Sequence, residues 1–234
     1  YTIDRSVHLG RLASFYAACR DCPHAHDTGT LAPSLVRRLQ ATRRETVPTL
    51  LFGADDRARV RLDDATAAQT RGLAAALGIY LQNARGDRER PLLAILAGDG
   101  RSATAEPLAA ASEGLRWAGC DVVDIGAMAA PGLAQSIAHL QADGGLLLGV
   151  EGGAAAEVTL AFWGAQGEPF SAGGALDTVR EIYTQRLDRP TRRFGALRRF
   201  EARELYLDGL SEHFHALRPL RFVLDTTCQT LLTT

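Results

Sequence analysis

Short apolar runs and helical repeats alternate along most of this chain. Pro91 to Ala97 is apolar throughout, and Gly144 to Gly149 sets three consecutive leucines behind a glycine pair. Unbroken apolar runs of this length predict strands covered on both faces. Asp121 to Ile125, Thr159 to Trp163 and Thr49 to Phe52 predict further strands. Arg57, Arg59 and Arg61 alternate with Ala58, Val60 and Leu62, the period-two pattern of a half-exposed strand. Between the runs, Leu73, Ala76, Leu77, Tyr80 and Leu81 repeat at helical spacing over 66–81 behind Asp63 or Asp64. Leu108, Ala111, Leu115 and Ala118 do the same in a helix expected to be capped by Thr104 and ended by Gly119. Pro131 opens a helix carrying Leu133, Ile137 and Leu140, and Gly173-Gly174 leads into one with Leu176, Val179, Ile182 and Tyr183. Strands alternating with helices imply an α/β protein of three layers, α/β/α, with a mostly parallel sheet. Strands near 49–53, 92–97, 121–125, 145–149 and 158–163 are expected to share it.

The flanks read differently. Residues 1–47 form an arginine-rich extension with a helix expected over 8–18 and another, capped by Thr30 or Ser34, carrying Leu35, Val36 and Leu39. Pro190 to Phe200 reads as a linker, 202–214 as a helix and 220–225 as a strand that begins something new. The expected division is therefore an extension over 1–47, a main domain over 48–200 and the start of a second α/β/α domain over 201–234.

Charge narrows the function. The net charge is −1 with charged residues at 23%, so no global field favours nucleic acid or an anionic membrane surface. No apolar run approaches the ~20 residues that span a bilayer, and the N-terminus has no apolar signal region, so a cytoplasmic location is expected. All 26 basic residues are arginine, which leaves no lysine to serve as base, Schiff-base former or phosphate anchor. Cysteines stand at 19, 22, 120 and 228, a spacing unlike a disulfide framework. Cys19, Cys22, His24 and His26 form the one metal-like cluster. Thiolate and imidazole suit zinc, although four ligands within eight residues are tight for one tetrahedral ion, and a polar loop with a buried Cys is the competing reading.

Several segments together carry a resemblance: Phe52-Gly53-Ala54-Asp55, the turn Ala97-Gly98-Asp99-Gly100-Arg101, Ala118 to Gly126, Ala142-Asp143-Gly144-Gly145, and Phe162 to Pro169. In this order and spacing, residues 50–185 resemble the first α/β/α domain of the phosphohexomutases, the family of phosphoglucomutase and phosphomannomutase. Residues 202–228 resemble the entry to that family's second domain. The resemblance implies a phosphosugar ligand, magnesium as cofactor and intramolecular phosphoryl transfer.

The departures fall on the chemistry. The family's central strand ends in Thr-Ala-Ser-His-Asn-Pro, whose serine carries the transferable phosphate, and a lysine follows ten residues later. Here the serine position holds Glu151, the histidine and asparagine positions Gly152 and Gly153, and the lysine position Ala161. A carboxylate would give an acyl phosphate, a different and far more labile donor, and loss of the cation removes stabilisation of phosphoryl charge. The phosphate-contacting Gly-Ile-Arg-Gly corresponds to Asp56-Arg57-Ala58-Arg59, an arginine displaced by one position. The magnesium-binding Asp-Gly-Asp-Gly-Asp segment does not occur in these 234 residues. The candidate residues are therefore Glu151 at the phosphoserine position, Arg57, Arg59 and Arg101 for phosphate or substrate, and the Cys19/Cys22/His24/His26 cluster for zinc. Three readings follow: a phosphohexomutase-like protein without phosphoryl transfer, an active mutase relying on domains outside this chain, and a zinc-dependent interaction module with an unknown partner protein.

Overall fold

The structure is a computed structural model that describes residues 4–14, 19, 24, 27–44, 52, 56–62, 66–85, 90–149, 157–185, 187–214, 221 and 223. The chain divides into two compact units, Tyr1–Val47 and Pro48–Thr234.

In the first unit, helix α1 spans Arg5–Ala13 and α2 spans Pro33–Arg44. The expected 8–18 helix starts three residues earlier because Asp4 caps it, accepting from the Ser6 amide at 2.8 Å. Helix α2 begins on Pro33, whose fixed φ and missing N–H suit a first turn, rather than after a Thr30 or Ser34 cap. Leu12, Cys19 and Leu39 form a small buried cluster with Leu31 against it. The His8 ring donates from Nε2 to Asp27 O at 3.0 Å and closes the loop between the helices.

In the second unit, six strands make one sheet: β1 Ala58–Arg61, β2 Leu93–Gly98, β3 Asp121–Ala127, β4 Gly144–Gly149, β5 Glu157–Gly164 and β6 Leu197–Arg199. Their order is β1-β5-β4-β2-β3-β6. The pairs β4–β2, β2–β3 and β3–β6 are parallel, while β5 runs antiparallel to both its neighbours. Helices α3 Thr66–Ala84, α4 Ser102–Trp117, α5 Ala130–His139, α6 Ala175–Thr184 and α7 Ala202–Phe214 connect and cover them.

Alternate residues of each central strand supply opposite cores. Ala94, Leu96, Leu146, Leu148, Val158, Leu160 and Phe162 pack with Leu73 and Leu77 of α3, Leu115 of α4 and Val179 of α6. Ile95, Ala97, Val123 and Ile125 pack on the other face with Leu133 and Ile137 of α5 and Ala202 of α7. This two-sided burial is why the strands read as unbroken apolar runs. Gly145 marks one close crossing: a Cβ there would lie 2.7 Å from Ile137 Cδ1 and 3.1 Å from Ile95 O.

The stretch read as a linker contains β6, which pairs in register with Val122, Val123 and Asp124. Helix α4 starts at Ser102, two residues before the expected Thr104 cap, because the Thr104 hydroxyl points back to the preceding turn. Of the expected strand near 49–53, only Phe52 is described, bridged to Ala58; the 220–225 strand falls mostly outside the described residues.

Candidate functional site

Strands β2 and β4 lie side by side at the centre of the sheet, and their chains leave in opposite directions. From β2 the chain runs through α4 to β3 on one side; from β4 it turns into β5 on the other. Open α/β sheets hold ligands beyond the C-terminal ends of strands at such a switch point. The β4–β5 connection, residues 150–156, starts here. It lies outside the described residues, and Glu151, Gly152 and Gly153 lie with it.

The described residues around that connection form a row across four strands. Gly149 ends β4 and pairs in register with Thr159 of β5, and Thr159 with Arg59 of β1. On the other side of Gly149 stands Asp99, directly after β2; a Cβ at Gly149 would meet Asp99 Cβ at 3.5 Å and Oδ2 at 3.6 Å. The row therefore reads Arg59, Thr159, Gly149, Asp99. Thr159 donates its hydroxyl to Gly149 O at 2.7 Å, which fixes the carbonyl at the start of the connection.

Asp99 is the organiser of the β2 turn. Its Oδ1 accepts from the Arg101 amide at 3.1 Å and from the Thr104 hydroxyl at 2.8 Å. That hydroxyl is also 2.7 Å from Arg101 O, so one proton is shared between two acceptors. Asp99 Oδ2 faces Arg101 Nε at 3.6 Å. Gly100 takes φ +77° at the tip, a conformation that glycine adopts without steric cost. These bonds all close the turn on itself.

Among the arginines singled out from the sequence, Arg57 and Arg59 belong to the partly exposed face of β1, opposite the fully buried Ala58 and Val60. Arg59 shares the row of Gly149; Arg57 precedes β1, one step further from the connection. Arg61, not singled out from the sequence, ends the same face opposite Glu157, the first residue after the connection. Ala161, at the family's lysine position, pairs in register with Leu147 of β4. Arg101 lies on the far side of β2, where it lines a cleft with Arg199, Asp124 and Glu201. The structure thus places Arg59 by the connection and Arg101 in a separate cleft.

Thr159 and Asp99 were not picked out as site residues by the sequence. A threonine inside an apolar strand and an aspartate shortly before a helix start are the signals that could have found them. Neither signal shows that the two flank the same glycine.

In the first unit, Cys19 is buried against Leu12 and Leu39, and His24 is exposed in a turn whose carbonyl accepts from the Asp27 amide at 3.0 Å. Cys22 and His26 lie outside the described residues. Among the described residues no three His, Cys, Asp or Glu side chains converge to hold a metal ion, and no helix is long and apolar enough to cross a membrane.

One further thiol is chemically distinctive. Burial pushes the Cys120 thiol up to about 12, with Asp143 and Asp121 adding to the effect and Arg193 opposing it. A thiol held protonated in this way is packing, not a nucleophile.

Comparison with known proteins bears on this site. Residues 49–185, more than half of the chain, match the family Phosphoglucomutase/phosphomannomutase, alpha/beta/alpha domain I. A curated relative, phosphoglucosamine mutase of Symbiobacterium thermophilum, is 32% identical over 121 residues, covering 50% of this chain and 27% of its own. Two crystal structures share the fold at a TM-score of 0.58. One is a phosphoglucomutase/phosphomannomutase family protein of Burkholderia thailandensis, 17% identical, with 70% of this chain and 36% of that chain covered. The other is a Thermus thermophilus protein assigned as a phosphomannomutase, 25% identical, with 69% and 35% covered. The chain spans about a quarter of the curated relative and about a third of the solved chains.

Proposed function

Because the chain belongs to the phosphoglucomutase/phosphomannomutase family through its first α/β/α domain, we infer that its central domain handles a phosphosugar but transfers no phosphate. One observation carries this reading. Glu151 stands at the family's phosphoserine position, in the connection that leaves Gly149 between Asp99 and Thr159. The scaffold around the connection is built: a strand end at a switch point, a glycine held on both sides, and an arginine in the same row. The nucleophile and its cation are replaced. Ala161, in register with Leu147, cannot supply the charge of the family's lysine, and no lysine exists elsewhere in the chain.

A glutamate could accept a phosphoryl group only as an acyl phosphate, which water cleaves far more readily than a phosphoserine. Without the family's lysine, charge developing on the transferred group also loses a cation that would neutralise it. The supportable role is a binding or scaffold domain of phosphohexomutase type, with a hexose or hexosamine phosphate as the ligand class. The carboxylate of Glu151 would stand as a fixed negative charge where a phosphoserine would sit.

The test is phosphoryl capture. The chain is incubated with glucose 1,6-bisphosphate and magnesium and read by intact-mass spectrometry. The expected result is no gain of a phosphoryl group. A stable phosphoryl adduct that maps to residues 150–156 would overturn the reading.

A further inference from the structure

Residues 189–200 carry five arginines, Arg189, Arg192, Arg193, Arg198 and Arg199, and no acidic residue. They enclose β6, the end strand of the sheet, which among the described residues pairs only with β3. Two bonds to β3 fix which way its backbone faces. Ala196 O accepts from the Val122 amide at 2.8 Å, and the Phe200 amide donates to Asp124 O at 3.0 Å. Backbone groups of successive strand residues turn to opposite sides, so residues 196, 198 and 200 face β3 while Leu197 and Arg199 turn N–H and C=O outward. Such an edge is a template for a further strand. It is also held in shape without one. The Gly195 amide donates to Arg116 O at 2.9 Å, its carbonyl accepts from Arg116 Nε at 2.8 Å, and the Ala196 amide donates to Asp121 Oδ1 at 2.7 Å. An edge fixed in this way gives up little freedom on binding.

Side chains alternate across the edge. Leu197 pairs with Val122, which packs in the core under α3 and α4, so Leu197 lies on that face. It is 47% exposed, and Phe194, 46% exposed, lies under the Arg116 guanidinium of α4 at 4.6 Å. Arg198 pairs with Val123, which belongs to the opposite core, so Arg198 lies on the α5 face. Arg193 and Arg199 are engaged by Asp121 and Asp124, and Arg189 donates to Trp117 O. Arg192 and Arg198 are exposed and have no ion-pair partner among the described residues. A strand laid along this edge therefore meets apolar surface on one face and an unneutralised cation on the other. A second copy of β6 fits poorly, because antiparallel pairing would set arginine against arginine. A nucleic acid would use the guanidiniums but leave the outward main-chain row unpaired.

We propose that the free edge of β6 takes an extended peptide strand in which acidic and apolar residues alternate. Main-chain bonds to Leu197 and Arg199 hold the strand, its acidic side chains face Arg198, and its apolar side chains cover Leu197 and Phe194. Two strands, β2 and β3, separate this edge from β4 and the 150–156 connection, so the inference does not rest on the phosphosugar reading above.

The test is an amide-resolved NMR titration of the full 234-residue chain with a synthetic peptide of alternating glutamate and valine, about eight residues long, enough to span a strand. The Leu197 and Arg199 amides should shift saturably and exchange more slowly. The same peptide with lysine for glutamate should give no saturable shift. The glutamate peptide methylated at its backbone nitrogens, which keeps the charge and loses the donors, should bind at least about tenfold more weakly. Arg198→Glu changes an exposed side chain; it should leave the unfolding temperature unchanged, abolish binding of the glutamate peptide and confer binding of the lysine peptide. Leu197→Pro deletes an outward N–H, a change that edge strands tolerate, and should weaken the glutamate peptide about tenfold while the Val122 amide keeps its protection. Absence of a saturable shift, equal shifts with the methylated peptide or with single-stranded DNA of the same charge, or a concentration-dependent shift of these amides without peptide would each overturn the proposal.

Discussion

Replacing Asp99 tests how the candidate site is held together. Its carboxylate accepts from the Arg101 amide at 3.1 Å and the Thr104 hydroxyl at 2.8 Å, and it faces Arg101 Nε at 3.6 Å. In Asp99→Ala the Thr104 hydroxyl keeps a second acceptor, Arg101 O at 2.7 Å, so its loss is partly made good. The bond from the Arg101 amide to the carboxylate is lost outright. One hydrogen bond to a charged group contributes about 1.5–3 kcal/mol. The ion pair, partly exposed, adds less than about 1 kcal/mol. The expected loss is therefore about 2–3 kcal/mol. For a domain of this size that corresponds to a fall of roughly 5–10 °C in Tm. Asp99→Asn keeps an acceptor at the Oδ1 position and loses mainly the ion pair, for a cost near ~1 kcal/mol. Urea unfolding followed by far-UV circular dichroism separates the two variants. Equal losses for Asn and Ala, or a loss below about 0.5 kcal/mol for Ala, would show that these bonds do not hold the turn.

Other expectations concern the cores and the buried thiols. Gly145→Ala places a methyl 2.7 Å from Ile137 Cδ1 and should cost about 1–3 kcal/mol, with Ile137→Val as second mutation recovering part of it in a double-mutant cycle. The Cys120 thiol, raised to about 12, should resist alkylation at about pH 8 in the folded chain and react once urea unfolds it. Because the folded thiol ionises above the unfolded one, its contribution to stability is complete below about pH 9 and should be lost as pH rises toward about 12 in alkaline melts. Arg193→Ala removes bonds to Gly119 O at 2.9 Å and Asp121 Oδ1 at 2.6 Å, and should speed amide exchange along β6 without affecting β4. Cys19→Ser should destabilise the 1–47 unit through its cluster with Leu12 and Leu39, and elemental analysis of that variant and Cys22→Ser tests the zinc expectation, which predicts less zinc in either variant.

The central sheet was legible because its strands are buried on both faces. Leu146 and Leu148 serve one core and Leu147 the other, so the run is apolar at every step and needs no alternation to be seen. β6 was not legible for the opposite reason. Its three residues are exposed, and it exists through distant partners: Ala196 donates to Asp121 Oδ1 at 2.7 Å and Val122 to Ala196 O at 2.8 Å. The start of α4 was missed because the Thr104 hydroxyl serves the turn before the helix instead of the helix end. At the site, residue types in sequence marked the position of Glu151 and the arginine face of β1. They could not show that Arg59, Thr159, Gly149 and Asp99 form one row, because that row is a product of strand register across four separate segments. Nor could they separate Arg101, which lines the cleft with Asp124 and Arg199, from Arg59, which the register puts in the row of Gly149.

Residue 151 is where the proposed function stands or falls. Its most direct test is a coupled assay of the 234-residue chain with glucose 1-phosphate, glucose 1,6-bisphosphate and magnesium, reading glucose 6-phosphate. Loss of a nucleophile or of a phosphate-positioning cation costs orders of magnitude in rate, so the predicted result is no conversion above the protein-free control. Conversion that survives repurification and disappears in Glu151→Ala would contradict the proposal and identify that carboxylate as part of a working active site.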